Sequence, residues 1–445
     1  MRPSTVLFAL LVASLPSAWA GDTVAATPPM GWNSWDCYGT TVTEAEVRAN
    51  ADYMARHLKQ HGWQYMVVDI QWSEPNAQAH GYRPGAELAM DEYGRLIPAV
   101  NRFPSSANGR GFRPLADYIH GLGLRFGIHI MRGIPRQAVK ANLPVFGSHV
   151  RAGEIADTAS ICPWNTDMYG VDLSRAGAQD YYDSILKLYT DWGVDYIKAD
   201  DIARPAHREE IAALHRAIGK TGRPIVLSLS PGPAMIKDAD FLQANSNMWR
   251  ISDDFWDDWK ALRLNFILMS IWGGMGRPGA WPDADMLPLG RIGIRAERGD
   301  NRMTRFTRDE QRTLISLWSI AQAPLMFGGD LPSNDDFTLS LISNDEVLAV
   351  DQHGAHGGAF AEGGDSVVWT ADGAGASEKY VAVFNVGEAG PVDIRVEWAA
   401  LKLPAQCVLR DLWARKDVGT VAGGYTFQVK PHASGLYKVK AAAKN

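Results

Sequence analysis

Cysteine is scarce in this sequence, and the residue spacings that mark common metal sites are missing. The 445 residues include three cysteines, Cys37, Cys162 and Cys407, scattered along the chain. This odd and scattered set excludes a fold built on disulfides and allows one bridge at most. Neither a CxxC nor an HExxH pattern occurs, so the sequence does not support a structural zinc site or a zincin motif. We therefore expect no metal and no other cofactor.

Clusters of positive charge are also lacking. The chain carries 44 Lys and Arg against 50 Asp and Glu, a net charge of -6, without a basic run. This balance argues against nucleic acid as a partner, because proteins that bind nucleic acid usually present a basic patch. The 46% hydrophobic and 21% charged residues are ordinary for a globular protein.

Long apolar runs are absent after the N-terminal residues, so no membrane span is expected. Residues 1–20 have the pattern of a signal peptide: Arg2 supplies the charge, residues 6–15 the apolar segment, and Ala18-Trp19-Ala20 the cleavage site. Gly21 rather than Cys follows that site, which argues against a lipid anchor. We expect the mature protein to be periplasmic or secreted, and the sequence does not indicate its oligomeric state.

Short apolar strands alternate with helical patterns between Met30 and Phe327, as in a parallel α/β fold. An active site built from many strand ends is typical of a (β/α)8 TIM barrel, whereas a doubly wound sheet has its site at one crevice. Because polar residues stand near the ends of successive strands, the sequence predicts a (β/α)8 TIM barrel over residues 21–343. These polar residues are Asp69, His129, Asp200, Ser230 and Asp254. The expected strands cover residues 30–35, 65–70, 124–130, 194–201, 224–230, 248–253 and 323–327, while residues 279–285 are expected to be irregular.

Helical periodicity disappears after about Asn344. Short β-rich runs follow, separated by turns of Gly, Asp and Ala, and this pattern predicts a C-terminal antiparallel β-sandwich over residues 344–445. The expected strands cover residues 367–370, 379–385, 392–398, 406–411 and 426–429.

The strand at residues 194–201 carries a cation and a carboxylate on one face. Residues two apart in a strand share a face, so Tyr196, Lys198 and Asp200 point one way, while Ile197 and Ala199 point to the helices. An inward Lys beside an inward Asp is costly to bury unless the two are paired. Taken alone, such a pair is more often a structural salt bridge than a catalytic site.

The strand at residues 248–253 repeats this arrangement, with Arg250, Ser252 and Asp254 on one face. Asp200 and Asp254 would then meet in the barrel mouth, and two carboxylates about 5 Å apart are what retaining glycoside hydrolysis requires. Lys198 would keep Asp200 ionised as the nucleophile, and Asp254 would be the acid/base. Arg250 would lower the pKa of Asp254, so we expect Arg250 to point at substrate oxygens instead.

Other assignments stay open. Asp201 as nucleophile and Asp253 as acid are disfavoured by the alternation, although bulges at strand ends can break it. Asp257 and Asp258 are expected to start a helix in solvent. His129 is equally compatible with a substrate contact and with a hydrogen-bonded core position.

Two further pairs are ambiguous. Trp35 and Trp72 could form a platform for a sugar ring or could pack in the core. Asp283 and Asp285 are expected to hold their own loop rather than to line the mouth.

Several of these segments resemble glycoside hydrolase family 27, the melibiases. Residues 28–35 (PPMGWNSW) are similar to the family's opening signature, 196–200 (YIKAD) to its nucleophile strand and 249–254 (WRISDD) to its acid/base strand. Residues 281–287 (WPDADML) and the 318–325 region (WSI, APL) are similar to its later loop and last barrel unit. The resemblance implies a barrel with a C-terminal β-sandwich and retaining hydrolysis of terminal α-galactosides without a cofactor.

The resemblance also assigns residues. It implies Asp200 as nucleophile and Asp254 as acid/base, in agreement with the alternation. It places Trp35, Asp69, Lys198 and Arg250 in the galactose pocket, and His129 and Ser230 complete the expected carbohydrate-binding set.

Two departures from the family pattern affect the choice of sugar. Family members have an Asp pair after the second strand that binds sugar hydroxyls, whereas this chain has Asp69-Ile70. The family's specificity loop after the fifth strand is replaced by Ser228-Leu229-Ser230-Pro231-Gly232. Losing a hydrogen-bonding partner can redirect selectivity.

The expected activity is therefore an exo-α-galactosidase, with a β-L-arabinopyranosidase or an isomaltodextran-type α-glucosidase as alternatives that share the mechanism. A non-catalytic carbohydrate-binding barrel is a further alternative. A metal-dependent hydrolase is disfavoured, because the strand ends offer one His and no HxH pair.

Overall fold

The computed structural model describes residues 24–442. The predicted signal peptide lies outside the described residues, and it stays a prediction together with the export that it implies. All three cysteines are described, and each is buried and unpaired. Within residues 24–442, no helix has the length and apolarity needed to cross a bilayer.

Eight parallel strands form one curled sheet, which confirms the predicted barrel. The first seven strands pair in chain order and the eighth pairs with the first, all of them parallel, so their carboxyl ends lie at the same end of the barrel. The strands are β1 Met30–Asn33, β2 Tyr65–Val68, β3 Arg125–Met131, β4 Tyr196–Asp200, β5 Val226–Leu229, β6 Met248–Arg250, β7 Trp281–Asp283 and β8 Leu325–Phe327.

The sheet closes between the residues after β7 and strand β8. The Leu287 N–H donates to the Met326 carbonyl at 2.7 Å, and the Gly328 N–H donates to the Leu287 carbonyl at 2.9 Å. The prediction that residues 279–285 are irregular was wrong, because β7 lies there and pairs with β6. A strand of three residues with Pro282 at its centre has no periodic pattern to recognise.

Helices follow the strands and cover the outside of the barrel. Two of these helices begin with capping boxes, in which Thr43 and Thr307 each accept from the backbone N–H of the Glu three residues on. The main helices are Glu44–His57, Arg113–Gly121, Ala178–Trp192, Arg208–Thr221, Ala239–Asn245, Trp259–Ile271, Arg308–Ala321, Asp336–Ile342 and Asp345–His353. The predicted domain boundary at 343/344 falls between the last two.

The alternation expected for β4 is observed. Ile197 and Ala199 belong to the large apolar cluster under the helices, while Tyr196 packs inside the barrel with Tyr65 and Val226. Strand β6 ends at Arg250, three residues earlier than predicted, so Asp254 stands on a loop and not on the strand.

An antiparallel domain of eight strands follows the barrel, as predicted. A six-stranded sheet faces the two-stranded sheet of Val392–Glu397 and Gly424–Val429, with residues such as Val383, Trp398 and Phe427 packed between them. The sequence pattern missed the first, sixth and eighth of these strands. The strands are Ala355–Gly363, Ser366–Asp372, Glu378–Asn385, Val392–Glu397, Gln406–Asp411, Lys416–Ala422, Gly424–Val429 and Ser434–Ala441.

Candidate active site

A cavity of about 170 Å³ opens at the carboxyl end of the barrel strands, where barrel enzymes have their active sites. Asp200 and Asp254 both line it, although they come from β4 and from the loop after β6. Three further expected binding residues, Trp35, Asp69 and Lys198, line the same cavity, as does Arg250. Acidic groups therefore predominate, with two buried cations among them.

Asp200 is the last residue of β4 and is held by two donors. One oxygen lies 3.1 Å from Nε2 of His129, and the other accepts from the Asp201 N–H at 2.9 Å. Burial alone would raise the pKa of Asp200, but the hydrogen bond and charge of His129, the charge of Lys198 and the Asp201 N–H outweigh it. The pKa of Asp200 is consequently held well below its usual range, and the carboxylate is ionised.

Asp254 has a different environment from Asp200. Its side chain is 39% exposed, against 14% for Asp200. Its one charged contact is Nη2 of Arg250, at 3.3 Å. Two carboxyl groups in unlike surroundings can hold different protonation states, as an acid and a nucleophile must.

Arg250 does not behave as predicted, because it binds carboxylates of the protein. Its Nη1 lies 2.8 Å from Oδ1 of Asp285, and its Nη2 reaches Asp254. The side chains of Arg250 and Asp285 are 3% and 4% exposed, so the cation needs this partner. Asp285 and its neighbour Asp254 raise the pKa of Arg250 despite its burial.

Asp285 is thus a site residue that the sequence interpretation placed only in its loop. It holds the loop as expected, since Oδ2 accepts from the Phe255 N–H at 2.7 Å, but it also lines the cavity. Burial, and after it the charges of Asp254 and Asp283, raise the pKa of Asp285 against the lowering effect of Arg250. Asp283 accepts from the Asp285 N–H and lies below the cavity.

Lys198 pairs with Asp69 across the floor of the cavity. Nζ lies 2.9 Å from Oδ2 of Asp69, which also accepts from Nδ2 of Asn33 at 2.7 Å. Burial raises the pKa of Asp69, but Lys198 and the other neighbours lower it further than burial raises it. Asp69 and Asp200 together raise the pKa of Lys198 despite its burial.

Aromatic residues form one wall of the cavity, and Ile70 is packed behind the wall rather than lining it. Trp35 lies parallel to Tyr82, with ring centroids 5.7 Å apart, and both line the cavity. Ile70 is buried in the same apolar cluster. Trp72 instead packs in the core, where its ring meets Phe112 edge-on, so the platform interpretation suits Trp35 alone.

His129 and Ser230, both expected to bind carbohydrate, do not line this cavity. His129 is fully buried behind Asp200. Ser230 borders a smaller void underneath the floor. From the loop after β5, only Pro231 reaches the cavity among residues 228–232.

The alternative carboxylates have other partners. Asp201 turns away into a buried ion pair, with Oδ2 2.7 Å from Nη2 of Arg132. Asp253 is exposed at the cavity rim and pairs with Arg204 at 3.2 Å. These positions agree with the strand alternation that disfavoured both residues.

The helix start at residues 257–258 is only partly as predicted. Asp258 caps the helix Trp259–Ile271 by accepting from two backbone N–H groups. Asp257 is buried rather than solvated, and it pairs with Arg302 at 2.5 Å. A distant cation of this kind leaves no local signal in the sequence.

Seven cavity residues were not singled out from the sequence: Asp36, Tyr82, Trp164, Arg204, Phe255, Trp256 and Glu297. Asp36 directly follows Trp35, so its place beside the opening motif was the available signal. Its Oδ2 is buried and accepts no hydrogen bond. Burial, followed by the charge of Asp285, raises the pKa of Asp36 well above its usual range.

Known proteins are similar to this chain in sequence and in fold. A family model described as alpha galactosidase A matches residues 173–353, and one for the alpha galactosidase C-terminal beta sandwich domain matches residues 363–439. The alpha-galactosidase of Coffea arabica is 30% identical, over 92% of this chain and 93% of that protein. Alpha-galactosidase 2 of Arabidopsis thaliana is 29% identical, over 93% of this chain and 89% of its own.

A solved structure is more similar still. The family 27 β-L-arabinopyranosidase of Geobacillus stearothermophilus is 55% identical and superimposes with a TM-score of 0.93, covering 95% of this chain and 98% of that one. Fold and matches together define the class as O-glycoside hydrolases. Within that class, the chain belongs to glycoside hydrolase family 27, which confirms the resemblance seen in the motifs.

Proposed function

We propose that this protein is a retaining exo-glycosidase that removes terminal β-L-arabinopyranosyl residues. The observation that carries the proposal is a pair of carboxyl groups, Asp200 and Asp254, on one small cavity in unlike environments. A cavity of about 170 Å³ suits a single sugar ring, since pockets for larger ligands measure roughly 300–1,000 Å³.

The mechanism is a double displacement. Asp200, kept ionised by His129 and Lys198, attacks the anomeric carbon, while Asp254 gives its proton to the leaving oxygen. The glycosyl–Asp200 ester then reacts with a water molecule that Asp254 deprotonates, which restores both groups and retains the anomeric configuration. Arg250 forms its shorter ion pair with Asp285. Its positive charge is therefore shared between Asp285 and Asp254 and does not act on Asp254 alone.

The choice of sugar follows from Ile70. L-Arabinopyranose has the ring configuration of galactose but lacks its hydroxymethyl group. Ile70 stands where the family pattern has a hydrogen-bonding Asp, and it is buried in the apolar cluster that contains Trp35, so this position gives the additional hydroxyl of galactose no polar partner. The 55% identity to a β-L-arabinopyranosidase favours the same choice.

α-Galactosidase activity is the second candidate, because the curated relatives carry that name and the cavity keeps Asp69 and Lys198. Values of kcat/KM on 4-nitrophenyl β-L-arabinopyranoside, α-D-galactopyranoside and α-D-glucopyranoside, measured with EDTA present, separate the candidates. We expect the arabinopyranoside to be preferred and activity to survive EDTA. A higher kcat/KM on either other glycoside would reassign the sugar, and no turnover on any would favour a carbohydrate-binding barrel.

The two carboxyl roles need a separate test with Asp200→Ala and Asp254→Ala. We expect azide to rescue the first variant with a glycosyl azide of inverted configuration, because it attacks in place of the carboxylate. The second variant should give an azide of retained configuration, because azide intercepts the glycosyl–enzyme. NMR of the product anomers reads out both, and the opposite pattern would exchange the roles.

A further inference from the structure

Three aromatic rings form a continuous series from the floor of the cavity to its rim. Trp35 stacks on Tyr82 with an interplanar angle of 18°, and Tyr82 meets Trp164 with centroids 5.6 Å apart. Exposure increases outward, since Trp35 is 7% exposed, Tyr82 half-buried and Trp164 37% exposed. The series therefore runs from the buried end of the cavity to its solvent-exposed rim.

Trp164 packs against Tyr82 but remains partly exposed at the rim of the cavity. It lies in a short connection between the strands Ala156–Ile161 and Met168–Val171, which belong to an excursion from the barrel after β3. Exposing a Trp face forfeits a large burial free energy, so an exposed ring at a cavity mouth indicates a surface for another molecule.

The connection that bears Trp164 is held from beneath by polar contacts. Asn165 accepts from the Asp167 N–H at 2.8 Å, and Nε2 of Gln71 donates to Asp167 at 2.9 Å. These hydrogen bonds attach the connection to the loop after β2. The Trp164 ring is therefore oriented before a ligand binds.

The residues around the rim are charged. Arg204 and Asp253 form an exposed ion pair there, and Glu297 lines the cavity with Arg298 next to it. A ligand that offers an apolar ring face to Trp164 and many hydroxyls to these charges is a sugar. A wholly aromatic group would offer no hydrogen-bond donors or acceptors to these charged residues.

We propose that Tyr82 and Trp164 form an aglycone subsite that stacks on the ring of a second sugar. The natural substrate is then a terminal pyranoside linked to another sugar residue, rather than a glycoside of a small alcohol or a phenol. This inference rests on the proposed function, because the cavity beneath must hold the sugar that is cleaved.

The test compares Trp164→Ala and Trp164→Phe with Ile161→Ala. Ile161 is exposed in the neighbouring strand and does not line the cavity, so its variant is the matched control. For each protein, kcat/KM is measured on a disaccharide with the cleavable pyranosyl group on a hexose, and on the methyl and 4-nitrophenyl glycosides of the same sugar.

We expect Trp164→Ala to lower the ratio of disaccharide to methyl-glycoside kcat/KM by about tenfold, equivalent to about 1.4 kcal/mol. Trp164→Phe should recover most of that ratio, and Ile161→Ala should leave it unchanged. An unchanged ratio in Trp164→Ala would overturn the subsite, and a larger loss on the 4-nitrophenyl glycoside would assign it to aromatic aglycones.

Failure of the proposed function has a different signature. In that case the wild type hydrolyses none of the glycosides, and calorimetric titration with disaccharide and monosaccharide replaces the kinetics. Tighter binding of the disaccharide that is lost in Trp164→Ala would still support the subsite. Equal affinities in the variant and the wild type would overturn it.

Discussion

The Asp36→Asn variant should gain stability relative to the wild type as the pH rises. Asp36 is 1% exposed, and its Oδ2 accepts no hydrogen bond. The space beside it is closed, since a Cβ on Gly328 would lie 2.0 Å from that oxygen. Burial and the charge of Asp285 accordingly raise the pKa of Asp36 in the folded state.

The sign of the effect follows from proton linkage. Below the pKa of the unfolded chain, about 3.9, Asp36 is protonated in both states and has no effect on the pH dependence. As the pH rises towards the folded-state pKa, the unfolded chain releases the proton and the folded protein keeps it, so stability is lost. Between the unfolded-state and folded-state pKa values the loss approaches about 1.36 kcal/mol per pH unit for one group, and it levels off once the pH passes the folded-state pKa. The amide of the Asp36→Asn variant has no proton to release, so this slope disappears.

Urea unfolding at pH 5, 6 and 7 measures the difference. The free-energy advantage of Asp36→Asn over the wild type should grow with pH over this range, by at most about 1.36 kcal/mol per pH unit. Asp240→Asn serves as the control, because Asp240 is exposed on a helix and should leave the slope unchanged. Parallel stability curves for the wild type and Asp36→Asn would refute the reasoning.

Three other substitutions test the cavity. Ile70→Asp restores a hydroxyl partner and should raise the ratio of α-galactoside to β-L-arabinopyranoside kcat/KM by at least about tenfold; an unchanged ratio would separate Ile70 from sugar choice. His129→Phe removes the hydrogen bond that lowers the pKa of Asp200, so the acidic limb of kcat/KM should move to higher pH. An acidic limb at the same pH in the variant and the wild type would show that a group other than Asp200 determines that limb. Lys198→Met leaves Asp69 buried without its cation and should lower the free energy of unfolding by about 3–5 kcal/mol, whereas a loss below about 1 kcal/mol in urea unfolding would contradict the pairing.

Much of the barrel could be predicted because its signals are local. The alternation of Tyr196, Ile197, Lys198 and Ala199 is a property of a single strand, and it was observed. The capping box at Thr43 spans four residues and was also recognisable. Strand β7 could not be recognised, because three residues around a proline carry no period and pair only through the neighbouring strand.

The candidate site divides in the same way. The sequence alone placed Asp200 at the end of a strand and separated it from Asp201 by their faces. Only the tertiary structure decided that Arg250 binds Asp285, that His129 stands behind Asp200, and that Trp164 reaches the rim. These contacts join residues tens of positions apart, and their geometry depends on how the barrel closes, whereas a strand's faces depend only on the residues within it.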